Sequence, residues 1–119
     1  LKSEIIINAG IRAAERNFTN AYVVKSGDRD AGAIFVKIDT LDGKAKLFAR
    51  SITYDFDNDK SKVSFEDLYS SKSMSVNEID IRISKEIEID RDCWVVEIEN
   101  KKGDNPFENI NSFLLYKSR

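Results

Sequence analysis

Apolar residues recur along this chain with two different periods. Near the start, Ile7, Ile11, Ala14 and Phe18 fall at spacings of four, three and four. That stripe predicts a helix over residues 4–18, with Arg12, Glu15 and Arg16 turned away from it and Ser3 as its N-cap. The period then shortens to two. Residues 21–25 carry Tyr22, Val23 and Val24, and residues 33–38 place Ile34, Val36 and Ile38 on one face. The segment between them, 27–32, is polar with a glycine at each end, a turn suited to joining two strands. Asp42 and Gly43 signal a two-residue hairpin. A third strand follows from about Lys44 to Phe56, with Phe48, Ile52, Tyr54 and Phe56 on the face that also carries Arg50. A polar loop over 57–62 leads to a fourth strand over 63–69. Consecutive strands joined by short turns make an antiparallel meander.

In the second half Ser75 and Glu78 stand at capping-box spacing, and Val76, Ile79, Ile83 and Ile87 continue at helical intervals. A strand competes here, because Ile79, Ile81 and Ile83, and again Ile87 and Ile89, alternate; the cap and the length favour the helix. The last strand spans 93–99, with Trp94, Val96 and Ile98 opposite Glu97 and Glu99. Asn105 and Pro106 read as a helix start, with proline at the first helical position. The tail after it carries Phe113, Leu114, Leu115 and Tyr116. The expected fold is α+β: an antiparallel meander of four to five strands, two main helices packed on one face, and a short C-terminal helix or extension.

Length and composition narrow the function classes. The chain has 119 residues, which fits one domain. Through Lys60 it has ten basic against nine acidic residues, and after it nine against twelve, so neither part is a basic lobe for duplex binding. One cysteine, Cys93, cannot form an internal disulfide, which points to a reducing compartment. With no histidine, Ser/His/Asp and Cys/His arrangements cannot be assembled, and the usual zinc ligands are missing. No apolar run approaches the ~18 residues of a membrane span, and the opening residues, which include Glu4, make a poor signal peptide. The expectation is a cytoplasmic protein with no membrane segment, no cofactor and no metal.

Five groups of residues remain as candidates for chemistry. Asp55, Asp57, Asp59 and Glu66 have the oxygen-ligand spacing of a calcium loop, but Lys60 stands where the sharp turn needs glycine. The 27–32 segment lacks a phosphate-cradle fingerprint, and its Asp28 and Asp30 repel phosphate; those carboxylates are better suited to bonding nearby backbone N–H groups. Glu97 and Glu99 share one strand face and could act as an acid–base pair or be paired with Arg12, Arg16 or Arg50. Convergence of Arg12, Arg50 and Glu97 in a cleft would be the first functional candidate. Phe35, Phe48 and Tyr54 could stack on RNA bases if their rings were open, whereas Trp94 reads as a core anchor. The Phe113–Tyr116 tail, if exposed, would invite a partner or a homodimer.

The order of these parts resembles a bacterial family known as domain of unknown function 1491. The residues that carry the likeness are Ile11 to Glu15, Gly27 to Ala33, Leu47 to Arg50 and, most specifically, Asp90 to Glu99. The family's usual Asp-Pro-Asp turn is Asp90, Arg91, Asp92 here, and the tail from about Lys101 has no counterpart. The resemblance implies a small stand-alone α+β protein and assigns no activity, substrate or catalytic residue. The resulting expectation is a non-enzymatic accessory or protein-binding module. The alternative is a small enzyme using carboxylates and arginine on a phosphorylated or nucleotide-like ligand.

Overall fold

A computed structural model describes residues 1–57, 60–110 and 114, and the side chains of all of these except residues 52–55, 60 and 61. Helix α1 spans Ser3–Arg16 and strand β1 Asn20–Lys25. Strands β2 (Ile34–Asp39), β3 (Lys44–Asp55), β4 (Lys60–Asp67) and β5 (Met74–Ser75) follow. Helix α2 spans Val76–Ile89, strand β6 Trp94–Glu99, and a 3-10 turn Pro106–Asn109 closes the described fold.

The six strands form one mixed sheet in the order β1, β6, β2, β3, β4, with β5 pairing the start of β3. Three expectations are corrected here. Among the described residues the sheet has six strands where four to five were expected. It is a meander only from β2 to β4, because β6 inserts between β1 and β2 and runs parallel to β2. The helices lie on opposite faces. Ile34, Val36, Ile38, Trp94, Val96 and Ile98 pack with Ile6, Ile7, Ala13 and Ala14 of α1. Their alternate neighbours Phe35, Leu47, Cys93 and Val95 pack with Ile79 and Ile83 of α2. Strand β2 is therefore buried on both faces from Ile34 to Ile38, as central strands of such sheets are. Periodicity could not show this, because a strand covered on both sides has no polar face to reveal which helix lies where.

Local detail follows from the same packing. Helix α1 stops at Arg16; Phe18 adopts φ +55° and lies in solvent, outside the expected stripe. Ser3 is a helical residue, with Lys2 at the N-cap position; the first helical N–H groups are taken by the carbonyls of Asp30 and Arg29. The Ser3 hydroxyl instead donates to Gly32 O at 2.6 Å in the interior. The β2–β3 hairpin turns over four residues, 40–43, with positive φ at Leu41 and Gly43 where a two-residue turn was expected. Asn105 caps the 3-10 turn as expected, its Oδ1 accepting Phe107 N–H at 3.0 Å. Of the Phe113–Tyr116 tail only Leu114 is described, packed against the α1-side core; Phe113, Leu115 and Tyr116 lie outside the described residues.

Candidate functional site

Strand alternation puts Glu97 and Glu99 on the α2 side of β6, where β1 contributes Tyr22 and Asn20 directly opposite them. Both carboxylates are engaged. Glu99 Oε1 accepts from Asn20 Nδ2 at 3.2 Å and from Tyr22 Oη at 3.3 Å. The negative charge of Glu99 is the main cause that raises the Tyr22 phenol above its ordinary value. Glu97 pairs with Lys37 of β2 at 2.9 Å, and the same ammonium reaches Asp80 of α2 at 2.8 Å. The Lys37 side chain is only 8% exposed. Burial works against its charge, but the hydrogen bonds it donates to Asp80 and Glu97 outweigh that and hold the lysine above its ordinary value. Lys37 was missed from the sequence. The available signal was a lysine inside an otherwise apolar strand, which has to find a counter-charge if the strand is central. A pair of carboxylates committed in this way makes a polar clamp between α2 and the sheet.

Asp28 and Asp30 stand in the crossover from β1 to β2, which joins strands that are not neighbours. The Asp28 carboxylate accepts the N–H groups of Asp30 and Ala31 at 3.2 and 2.8 Å, as anticipated, and Asp30 faces Lys2 at 3.6 Å. The crossover also braces the entry to β6. Asp28 N–H donates to Asp92 O at 2.8 Å, and the Trp94 indole N–H donates to Asp28 O at 2.7 Å. A Cβ on Gly27 would sit 2.2 Å from Asp92 O, so only glycine permits the approach. The polar turn and the Trp94 strand, distant in sequence, form one structural unit.

Arg12 is exposed on α1, and Arg50 lies on the α1 side of β3. Arg50 donates to Ser3 Oγ at 3.3 Å and to Leu1 O at 3.1 Å, and among the described residues its Nε has no hydrogen-bond partner. Burial lowers its ionisation below the usual arginine value. The sheet separates both arginines from Glu97 and Glu99, so the Arg12, Arg50 and Glu97 cleft is not assembled. The buried Phe35 and Phe48 rings are unavailable for base stacking, and the Tyr54 side chain lies outside the described residues. Cys93 is fully buried, which pushes its thiol up and away from reactivity. The calcium-loop pattern falls partly outside the described residues, at Asp59 and the Asp55 side chain. Among the described residues no cluster of three or more His, Cys, Asp or Glu could hold a metal ion. No helix among them is long and apolar enough to cross a membrane.

What the geometry leaves open is β1. It ends the strand order, so one of its edges has no strand partner among the described residues. Tyr22, Val23 and Val24 are 50, 43 and 62% exposed, and consecutive residues alternate, so both faces of the strand are open. Its lysine does not guard that edge. Lys25 Nζ is drawn inward to Arg91 O at 2.6 Å and Cys93 O at 2.8 Å. A register shift between Val23 and Lys25 twists the strand there.

Residues 1–108 match the model of the protein family described as protein of unknown function DUF1491. Two solved DUF1491 family structures from Caulobacter crescentus CB15 are similar. The crystal structure is 32% identical with a TM-score of 0.72, covering 89% of this chain and 94% of that one. The NMR structure is 32% identical with a TM-score of 0.70, covering 92% and 93%. A protein from A. tumefaciens, solved in solution, is 33% identical with a TM-score of 0.70, covering 84% and 86%. No curated protein matches the chain. The family match continues to residue 108, so the segment from Lys101 through Glu108, expected to have no counterpart, lies inside it.

Proposed function

The chain belongs to the DUF1491 family of proteins of unknown function, and from that premise we propose that it is a non-enzymatic accessory module of the cytoplasm that binds an extended segment of a partner protein along β1. One observation carries this reading: an apolar edge strand, open on both faces, whose lysine points inward. An unpaired strand edge offers a row of backbone donors and acceptors, and natural proteins usually blunt such an edge with charge or proline. An added strand would gain main-chain hydrogen bonds from the edge and side-chain contacts from Tyr22, Val23 and Val24. The single buried cysteine accords with a reducing compartment. The alternative enzyme using arginine and carboxylates has no support from the positions of Arg12, Arg50, Glu97 and Glu99.

Capture from the native host with the wild-type chain and with Val24→Lys tests the proposal. The expected result is a protein enriched by the wild type and lost with Val24→Lys, at an unchanged melting temperature. Capture that enriches nothing, or is indifferent to Val24→Lys, would count decisively against β1 as the working edge.

A further inference from the structure

On the α1 side of the sheet a groove of about 910 Å³ runs between Lys46 and Phe48 of β3 and the segment from Asn100 to Asn109. Lys46, Lys101 and Lys102 all line it. Among the described residues none of the three has a carboxylate within 4.0 Å, whereas Lys37, the one nearly buried lysine, is paired twice.

The turn that carries two of these lysines is held from within. Asn100 Oδ1 accepts the N–H groups of Lys102 and Asp104 at 2.9 and 3.1 Å, and Gly103 N–H donates to Asn100 O at 3.0 Å. Gly103 has φ +77°, and a Cβ there would lie 2.8 Å from Lys46 Nζ. The turn therefore passes directly against the third ammonium. Three ammonium groups without an ion-pair partner among the described residues thus line one groove, where they can attract a compact anion. Asn105 supplies a second and independent observation. It lines the groove yet is only 4% exposed; its Oδ1 is used in the cap, and among the described residues its Nδ2 donor has no acceptor. Buried amide donors without acceptors are rare in native proteins.

The remaining lining limits the ligand's size and charge. Asp67, Asp104 and Glu108 also face the groove, and Asp67 already accepts the N–H groups of Tyr69 and Ser71. Three carboxylates would repel an extended polyanion, while a single compact anion can sit among the ammonium groups. The volume suits a small molecule. We propose that this groove binds a small metabolite bearing one phosphomonoester group, held by Lys46, Lys101 and Lys102, with its uncharged or cationic part towards the carboxylates.

The test is a titration of the full chain, followed by amide NMR shifts, with three probes: inorganic phosphate, O-phosphoserine and a single-stranded oligodeoxynucleotide. The expected result is saturable movement of the amides of residues 100–105 with O-phosphoserine, the same amides moving more weakly with inorganic phosphate, and no site-specific response to the oligonucleotide. Lys101 and Lys102 are exposed, so the double variant Lys101→Gln, Lys102→Gln should keep its melting temperature and lose about tenfold in O-phosphoserine affinity. Shifts that do not saturate, that scatter over lysines elsewhere, or that persist unchanged in the double variant would overturn the proposal. Tighter binding of the oligonucleotide at the same amides would overturn it too, by assigning the groove to nucleic acid. None of these outcomes depends on β1.

Discussion

Lys37 sits nearly buried on β2 with two carboxylate partners, Glu97 from the neighbouring strand and Asp80 from α2. Removing the ammonium leaves Glu97, itself largely sheltered, without its counter-charge. Lys37→Met should therefore destabilise the fold by about 1–3 kcal/mol, less than for a fully buried pair because Asp80 is half exposed; urea unfolding measures it. The pH dependence has a definite sign. The folded lysine is held above its ordinary value of 10.5, so its contribution is complete below that value and is lost as pH rises through the higher folded value. The wild type should show a steeper alkaline fall in stability than Lys37→Met, with the two profiles parallel near neutrality. At Gly27 the limit is steric. Gly27→Ala forces a Cβ against Asp92 O and should cost about 1–3 kcal/mol, read as a lowered urea midpoint with an unchanged slope.

At the scale of elements, the α2 segment shows how local chemistry decided between two periods. Ile79 and Ile83 are buried, as either a helix or a strand would have them, but Ile81 and Ile89 are exposed, as only the helix predicts. The cap starts that helix: Ser75 Oγ accepts Glu78 N–H at 3.2 Å. The box is half made, since the Glu78 carboxylate accepts from the Ser75 hydroxyl at 3.3 Å rather than from its backbone. Ser75→Ala should cost about 1 kcal/mol, visible as a melting shift with the sheet signal retained. Ser75 also belongs to β5, so the residue that ends the short pairing with β3 is the one that opens the helix. Strand β1 was legible as a strand from Tyr22, Val23 and Val24. Its position at the edge was not, because exposure on both faces depends on which strands lie beside it.

For the whole molecule, the consequence of the strand order is a gradient of protection. Strands β2 and β6 run parallel at the interior of the sheet, each with a neighbour on both sides and a helix layer above and below. Their amides should exchange with deuterium most slowly, and the outward-facing amides of the edge strands β1 and β4 most quickly, as hydrogen exchange followed residue by residue would show. If β1 accepts a partner strand, its outward-facing amides become protected in the complex.

The chain's own alternations and caps were enough to place both helices, the principal strands and the Asn105 start, since each depends on neighbours within a few residues. They also identified Asp28 as a backbone-bonding carboxylate and Trp94 as an anchor. Two decisions belonged to the tertiary structure: inserting β6 beside β2, and setting α1 and α2 on opposite faces. Those steps separated Arg12 and Arg50 from Glu97, gave Glu97 to Lys37, and left β1 uncovered. The physical reason is that a residue's period fixes which side of its own element it occupies, whereas the neighbour waiting on that side is chosen by pairing between segments far apart in the chain, where no local pattern reaches.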